Sequence, residues 1–166
     1  KRFCEMRYAV AACFSTGVQM TGGFEFGFRR PLHVVNTRQS DWEDTWFDSS
    51  DTIAKINRAK MECPALNEEG PIKRIERDGC IALIKRTTAG HAPCALIINP
   101  STNVGAKFKL EAISEELGAA HEHIHCGVTG LSMADFESTL DLGSLDWHLF
   151  TTTDEEPTPR QARRAQ

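Results

Sequence analysis

The feature that most constrains this chain is a single strand candidate enclosed by two helical segments. Apolar residues recur at helical spacing in residues 3–14, and residues 18–21 then have the composition of a short strand. A second helical segment covers residues 49–61, where acidic and hydroxyl side chains favour a helix start and Pro64 favours a stop. A lone strand leaves both edges unpaired, so we expect it to need neighbouring strands that residues 1–64 do not supply.

After Pro64 the chain changes character. Short apolar runs are separated by turns that contain glycine or proline, which is the pattern of an antiparallel sandwich or barrel. The predicted strands are residues 72–76, 80–86, 94–99, 104–110, 122–126, 136–140 and 145–151. Residues 112–120 fit either one helical turn or a loop, and the two alternatives stay open.

These patterns predict an α+β chain in three parts. Residues 1–64 are helix, strand and helix, residues 65–152 form an antiparallel all-β sandwich domain, and residues 153–166 form a disordered tail because they carry no large apolar side chain. With 166 residues the chain is too short for a complete (β/α)₈ barrel, which typically needs about 250.

Composition restricts the possible partners. The formal net charge of −4 gives no electrostatic case for nucleic acid or for an anionic membrane surface. No apolar run approaches the ~20 residues that a membrane span needs. Six scattered cysteines indicate neither a disulfide framework nor a paired zinc motif. We expect a cytoplasmic protein with no nucleic-acid partner, no membrane partner and no cofactor.

The segment GVQMTGGFEFGF, with the helical RYAVAACFST before it and DWED after it, resembles the last part of the catalytic barrel in the α-amylase family (glycoside hydrolase family 13). That family's eighth strand ends on Gly-x-Glu-x-Gly, which Gly23, Glu25 and Gly27 match, while Phe24 replaces the commoner Asp or Asn. The insert GFRRPLHVVNTRQSDWED is similar to relatives in bacterial glycogen and maltodextrin metabolism, such as the maltose-1-phosphate maltosyltransferases.

Later segments carry the same resemblance. DTIAKINRAKMECPALNEEG resembles the family's eighth barrel helix, and the β-rich remainder, with ALIINP and TLDLGSLDWHLF, resembles its C-terminal β-sandwich domain. The resemblance implies an α+β fragment that combines the end of a (β/α)₈ barrel with that sandwich. It also implies a parent glycoside hydrolase or glucanotransferase that acts on an α-glucan or a maltooligosaccharide.

Cleavage of a glycosidic bond needs two carboxylates that flank it. In the family these carboxylates lie on earlier barrel strands, and their motifs do not occur in this sequence. We therefore assign no catalytic residue and expect the chain alone to be inactive, with the rest of the barrel as its partner.

Five residues are candidates for substrate binding. Glu25 lies at the end of the predicted strand, where barrel enzymes place their sites, or else it is a structural carboxylate that caps a turn. Aromatic rings in this segment either stack on glucose or pack the loop down, and a nearby arginine either binds a phosphorylated sugar or forms a surface ion pair. The candidates are Glu25, Phe24, Phe26, Arg29 and Trp42.

The sequence HEHIHC suggests a weaker metal site. If residues 121–126 form a strand, its alternation places His121, His123 and His125 on one face, where three imidazoles would suit zinc. The alternative is a strand whose histidine face is solvated and binds nothing. We predict that the chain binds no metal.

Two further interpretations compete with an enzyme fragment. One is a free-standing β-sandwich module that binds carbohydrate or another partner, and the other is a small histidine-rich metal protein. We also expect the helices of residues 1–64 to lack partners for their apolar faces and to lose hydrogen-exchange protection first.

Overall fold

The computed structural model describes residues 1–30, 32–33, 35–136 and 138–152. The predicted disordered tail at residues 153–166 lies outside this range. Helix α1 spans Arg2–Phe14 and helix α2 spans Ser50–Glu62. The first turn of α2 is held by Asp48, whose carboxylate accepts hydrogen bonds from the amide and hydroxyl of Ser50 at 2.8 and 2.6 Å.

The strand predicted at residues 18–21 is wrong, because this segment has no regular secondary structure and belongs to neither sheet. Its backbone has no neighbouring strand to pair with in the described residues, and unpaired N–H and C=O groups do not make a ladder. The structure therefore has helix, loop and helix where the sequence pattern predicted helix, strand and helix.

The β region forms two antiparallel sheets. One sheet has five strands in the order β1-β2-β3-β7-β5, and the other pairs β4 with β6. The strands are β1 Ile72–Arg77, β2 Cys80–Lys85, β3 Cys94–Ile98, β4 Ala106–Lys109, β5 Ile124–Cys126, β6 Thr139–Leu142 and β7 Trp147–Thr152. Helix α3, Glu111–Leu117, settles the alternative left open at residues 112–120 in favour of a helix.

The central strand β3 is buried on both faces. Because successive side chains of a strand point to opposite faces, its residues contribute to two separate apolar clusters. Cys94, Leu96 and Ile98 pack with α1 and α2, whereas Ala95 and Ile97 pack with the second sheet and α3. The apolar faces of both helices are therefore covered by the five-stranded sheet of this same chain, which corrects the expectation that they lack partners.

The other face of the sheet is a β-sandwich core. Phe108 of β4, Leu140 of β6 and Ile113 of α3 are at most 2% exposed and lie in one cluster with Phe150 of β7. Interdigitated side chains from two antiparallel sheets are the basis of such a core. The architecture is thus α+β, with two helices, a five-stranded sheet and a two-stranded sheet in successive layers.

The ALIINP motif ends β3 on a buried asparagine. Asn99 is 0% exposed, and its side-chain amide donates to the carbonyls of Val104 and Gly143 at 2.8 and 2.9 Å. Its side-chain oxygen accepts from the amide of Ser101 at 3.0 Å. A buried amide with its hydrogen bonds satisfied fixes two loops against the end of the sheet.

The edge strand β1 contrasts with β3. Five of its six residues are exposed, and it pairs only with β2 in the described residues. Its sequence IKRIER carries charged side chains at four positions.

Candidate functional site

The segment that joins α1 to α2 contains all five candidate residues, and we call residues 21–49 the aromatic loop. Its two ends are tied together by backbone hydrogen bonds, since the amide of Ser49 donates to the carbonyl of Glu25 at 2.9 Å. The amide of Trp46 donates to the carbonyl of Phe26 at 3.0 Å. The loop is therefore closed at its base, directly before α2 begins.

Two glycines flank a single 3₁₀ turn at Phe24–Phe26 in the Gly-x-Glu-x-Gly motif. Gly23 and Gly27 have φ of +85° and +73°, in the left-handed region that favours glycine. A Cβ on Gly27 would lie 2.6 Å from Cε1 of Phe47, and a Cβ on Gly23 would lie 2.3 Å from Cδ2 of Phe28. Both conformation and space therefore require glycine at these positions.

Glu25 lies in the middle of this turn. Its Oε2 is buried and has no hydrogen-bond partner among the residues that the structure describes. A turn-capping carboxylate would be expected to accept hydrogen bonds at such an atom, and an unpaired buried carboxylate oxygen is costly. The turn-capping alternative for Glu25 therefore has no hydrogen bond at this oxygen to support it.

The aromatic candidates divide into an inner and an outer set. Phe24 packs inward against Tyr8 of α1, with ring centroids 6.1 Å apart. Phe26 contacts Phe28 at 6.3 Å, and Phe28 meets the ring of Trp42 edge-on at 6.2 Å. Trp42 is 62% exposed, so this row of rings runs from the turn to the surface.

Arg29 belongs to the outer surface of the loop. Its guanidinium lies over the ring of Trp46, 3.2 Å from the centroid, and covers one face of that ring. The backbone amides of Arg29 and Arg30 donate to the carboxylate of Glu43 at 3.0 and 2.8 Å. The hydrogen bond from the Arg29 amide is the chief cause that lowers the pKa of Glu43, with Arg30 contributing further.

The loop also borders an open cavity of about 260 Å³. Its lining residues come from the middle of the loop: Arg30, Leu32, His33, Asn36, Thr37 and Asp41. None of the five candidates lines it. The structure thus places the candidates on one loop. Glu25, Phe24 and Phe26 lie on the turn, and Arg29 and Trp42 lie beyond it. They do not line a common cavity among those that the described residues form.

The histidine arrangement differs from the predicted one. Residues His121–His123 form a 3₁₀ turn, and only Ile124–Cys126 is a strand. The premise that His121, His123 and His125 alternate on one strand is therefore wrong. Within the described part of the chain, no group of three or more His, Cys, Asp or Glu side chains is placed to hold a metal ion.

One side-chain pair was missed by the sequence reasoning. Cys126 on β5 and His148 on β7 line the same pocket. The two residues are 22 positions apart, and only the pairing of β5 with β7 brings them together. No local motif predicts such a pair, because the register between two distant strands cannot be predicted from either segment alone.

No helix among the described residues has the length and apolar character to cross a membrane.

No family model matches the sequence, and no curated protein matches it. A solved structure does: a crystal structure of an AmyP variant in complex with maltotriose superposes with a TM-score of 0.59 and is 11% identical. The match covers 90% of this chain and 34% of that one, so the chain spans about a third of the length of its neighbour. The chain therefore has an amylase-like fold that includes an antiparallel C-terminal β domain.

Proposed function

We propose that this chain is the C-terminal part of an enzyme that acts on α-glucans, a glycoside hydrolase or glucanotransferase of the α-amylase family. The proposal rests chiefly on the amylase-like fold over 90% of the chain. The Gly23-Phe24-Glu25-Phe26-Gly27 turn and the β-sandwich that follows it support the same assignment. In this proposal the catalytic carboxylates belong to the rest of the barrel.

The aromatic loop is the part of this chain that we assign to glucan contact. Trp42 and Trp46 are each 62% exposed, so two large aromatic rings of this loop are open to a partner. Apolar faces of glucose rings stack on indole, and a loop closed at its base presents the two rings from a fixed support. The unpaired Oε2 of Glu25 would accept a hydrogen bond from a sugar hydroxyl or from another barrel segment.

Electrophoresis in native gels that contain glycogen or amylose tests this assignment. The chain should be retarded, and the double change Trp42→Ala with Trp46→Ala should abolish the retardation. Phe3→Ala is the matched control, because Phe3 is an exposed aromatic residue on α1 outside the loop and 48% exposed. Equal mobility with and without glucan would contradict glucan contact by this loop.

A second candidate function is a free-standing carbohydrate-binding or interaction module. The closed apolar clusters on both faces of the sheet favour it, since they leave the described residues with their own core. The coding sequence separates the two proposals. An upstream reading frame that encodes the barrel carboxylates supports the enzyme, and a start codon directly before Lys1 supports the module.

A further inference from the structure

A pocket of about 270 Å³ lies where the first turns of α1 and α2 meet the β5–β7 edge of the sheet. Arg2, Glu5 and Thr52 line the helical side. Cys126, Thr129 and His148 line the side that belongs to the sheet. The pocket is distinct from the aromatic loop and shares no residue with it.

The chain beyond Cys126 folds back along the pocket. Cys126 pairs with Phe150 of β7, and the chain then folds back so that the amide of Gly130 donates to the carbonyl of Cys126 at 2.7 Å. Val128 and Thr129 of this tight loop line the pocket together with Cys126. Their backbone amides and the Thr129 hydroxyl are hydrogen-bond donors, and donors close to a sulfur favour its anionic form.

His148 completes the arrangement. It lines the pocket beside Cys126, and its imidazole stacks on Phe150 with centroids 6.1 Å apart and an interplanar angle of 17°. Its Nδ1 is buried and has no hydrogen-bond partner in the part of the chain described. A thiol beside an imidazole within a pocket is the arrangement that activates a cysteine nucleophile.

We propose that Cys126 is a nucleophilic thiolate at the floor of this pocket and a site of oxidation to the sulfenic acid by small, uncharged hydroperoxides. The residue is 2% exposed, so only a reagent of a few atoms reaches the sulfur through the pocket. This proposal does not depend on the glucan function, because the pocket uses none of the residues of the aromatic loop.

The reaction is balanced without another reactant. The thiol proton passes to His148, and the sulfur attacks one peroxide oxygen, so that an S–O bond forms while the O–O bond breaks. The sulfur is oxidised to a sulfenic acid and the peroxide is reduced. The leaving hydroxide, or the alkoxide of an alkyl hydroperoxide, takes the proton from His148 and departs as water or as the alcohol.

The electrostatics of the pocket agree with this role. Burial raises the pKa of the Cys126 thiol, but the hydrogen bonds from His148, Thr129 and the Val128 amide lower it, and the result is about 7 instead of 9.0. The other charged groups of the pocket are Arg2 and Glu5 on α1 and Asp146 before β7. By contrast, burial raises the pKa of Cys13 to about 12, so that thiol serves as an internal reference for an unreactive cysteine.

The test is alkylation of the full chain by iodoacetamide across pH 5.5–10, with each cysteine read by peptide mass spectrometry. Cys126 should react at least about tenfold faster than Cys13 at pH 7, with a half-maximal rate near pH 7. Thr129→Val and His148→Phe, which keep side-chain volume and ring stacking, should each shift that midpoint upward by about one unit. Thr87→Val, which removes a hydroxyl outside the pocket, should leave the midpoint unchanged.

Hydrogen peroxide applied to the folded chain and then removed, before dimedone is added in urea so that it reaches the sulfur, tests the oxidation itself. A dimedone adduct at Cys126, absent in Cys126→Ser, supports the proposal. A midpoint near pH 9, or alkylation of Cys126 only at urea concentrations that unfold the chain, would overturn the thiolate. Rapid alkylation without any dimedone adduct would overturn the hydroperoxide as its substrate.

Discussion

The two faces of the five-stranded sheet hold their helices by different means. On one face, α1 and α2 are joined by the ammonium of Lys60, which is 9% exposed and donates to the carbonyls of Ala12, Ser15 and Leu66. On the other face, α3 is tied to the sheet through the partly exposed carboxylate of Glu116, which pairs with Lys73 and Arg86. Both arrangements join a helix to its surroundings by charge, but only the first is shielded from water.

The two arrangements differ in how much each charged group contributes to the stability of the fold. A buried ammonium that satisfies three carbonyls cannot be removed without leaving those acceptors unpaired. Exposed ion pairs exchange readily with water and are screened by salt. Stability of the helical layer should therefore depend strongly on one residue, whereas that of the α3 layer should depend mainly on its apolar core.

The largest effect is expected for Lys60→Met. The substitution keeps an unbranched side chain but leaves up to three carbonyl oxygens without their donor, which should lower the free energy of unfolding by about 2–4 kcal/mol. Urea denaturation followed by circular dichroism measures the change. Lys55→Met on the exposed side of α2 is the control and should change it by less than about 0.5 kcal/mol. Equal effects of the two substitutions would show that the buried lysine does not join the helices.

An intermediate effect is expected for Gly27→Ala in the aromatic loop. The new Cβ would clash with the ring of Phe47, and the alanine would have to adopt a φ of +73°. The free energy of unfolding should therefore fall by about 1–3 kcal/mol. Gly17→Ala is the matched control, because nothing lies within 4 Å of its Cβ position and no positive φ occurs there. If both variants unfold at the same urea concentration, the close packing at the base of the loop is not needed for the fold.

The smallest effect is expected for Glu116→Gln. Hydrogen bonds from Lys73 and then Arg86 lower the pKa of Glu116 below its usual 4.5, so the carboxylate stabilises the fold above that value and loses its contribution as the pH falls through the lowered pKa. The urea midpoint of the variant should lie slightly below that of the wild type at pH 7, and the two should converge below pH 4. Glu115→Gln, on the exposed side of α3, should show no such convergence.

Several elements of this fold could be read from local sequence. The continuous apolar run CALII and the turn residues around it predict β3, and the spacing of Ile53 and Ile56 before Pro64 predicts α2. The strand predicted at residues 18–21 failed because strand formation depends on a neighbour, which no local pattern reports. The same limit explains why the pattern HEHIHC predicts one strand, since a 3₁₀ turn over its first half has no strong local signal.

The candidate site was predictable only in part. Gly23 and Gly27 predict a tight turn, and the aromatic side chains between residues 24 and 47 indicate a loop rich in aromatic rings. Sequence alone could not separate the inward ring of Phe24 from the exposed ring of Trp42, because that division depends on where Tyr8 and Phe28 lie. The pocket around Cys126 and His148 depends entirely on the register between β5 and β7.

The charged edge strand β1 has a consequence for how this chain behaves in a crowded solution. An open sheet edge offers N–H and C=O groups on which another molecule can add a strand, and long apolar edges promote fibrils. Lys73, Arg74 and Arg77 would bring like charges together if a second copy docked there in parallel. The strand that contributes least to the core thereby protects the molecule against edge-to-edge aggregation.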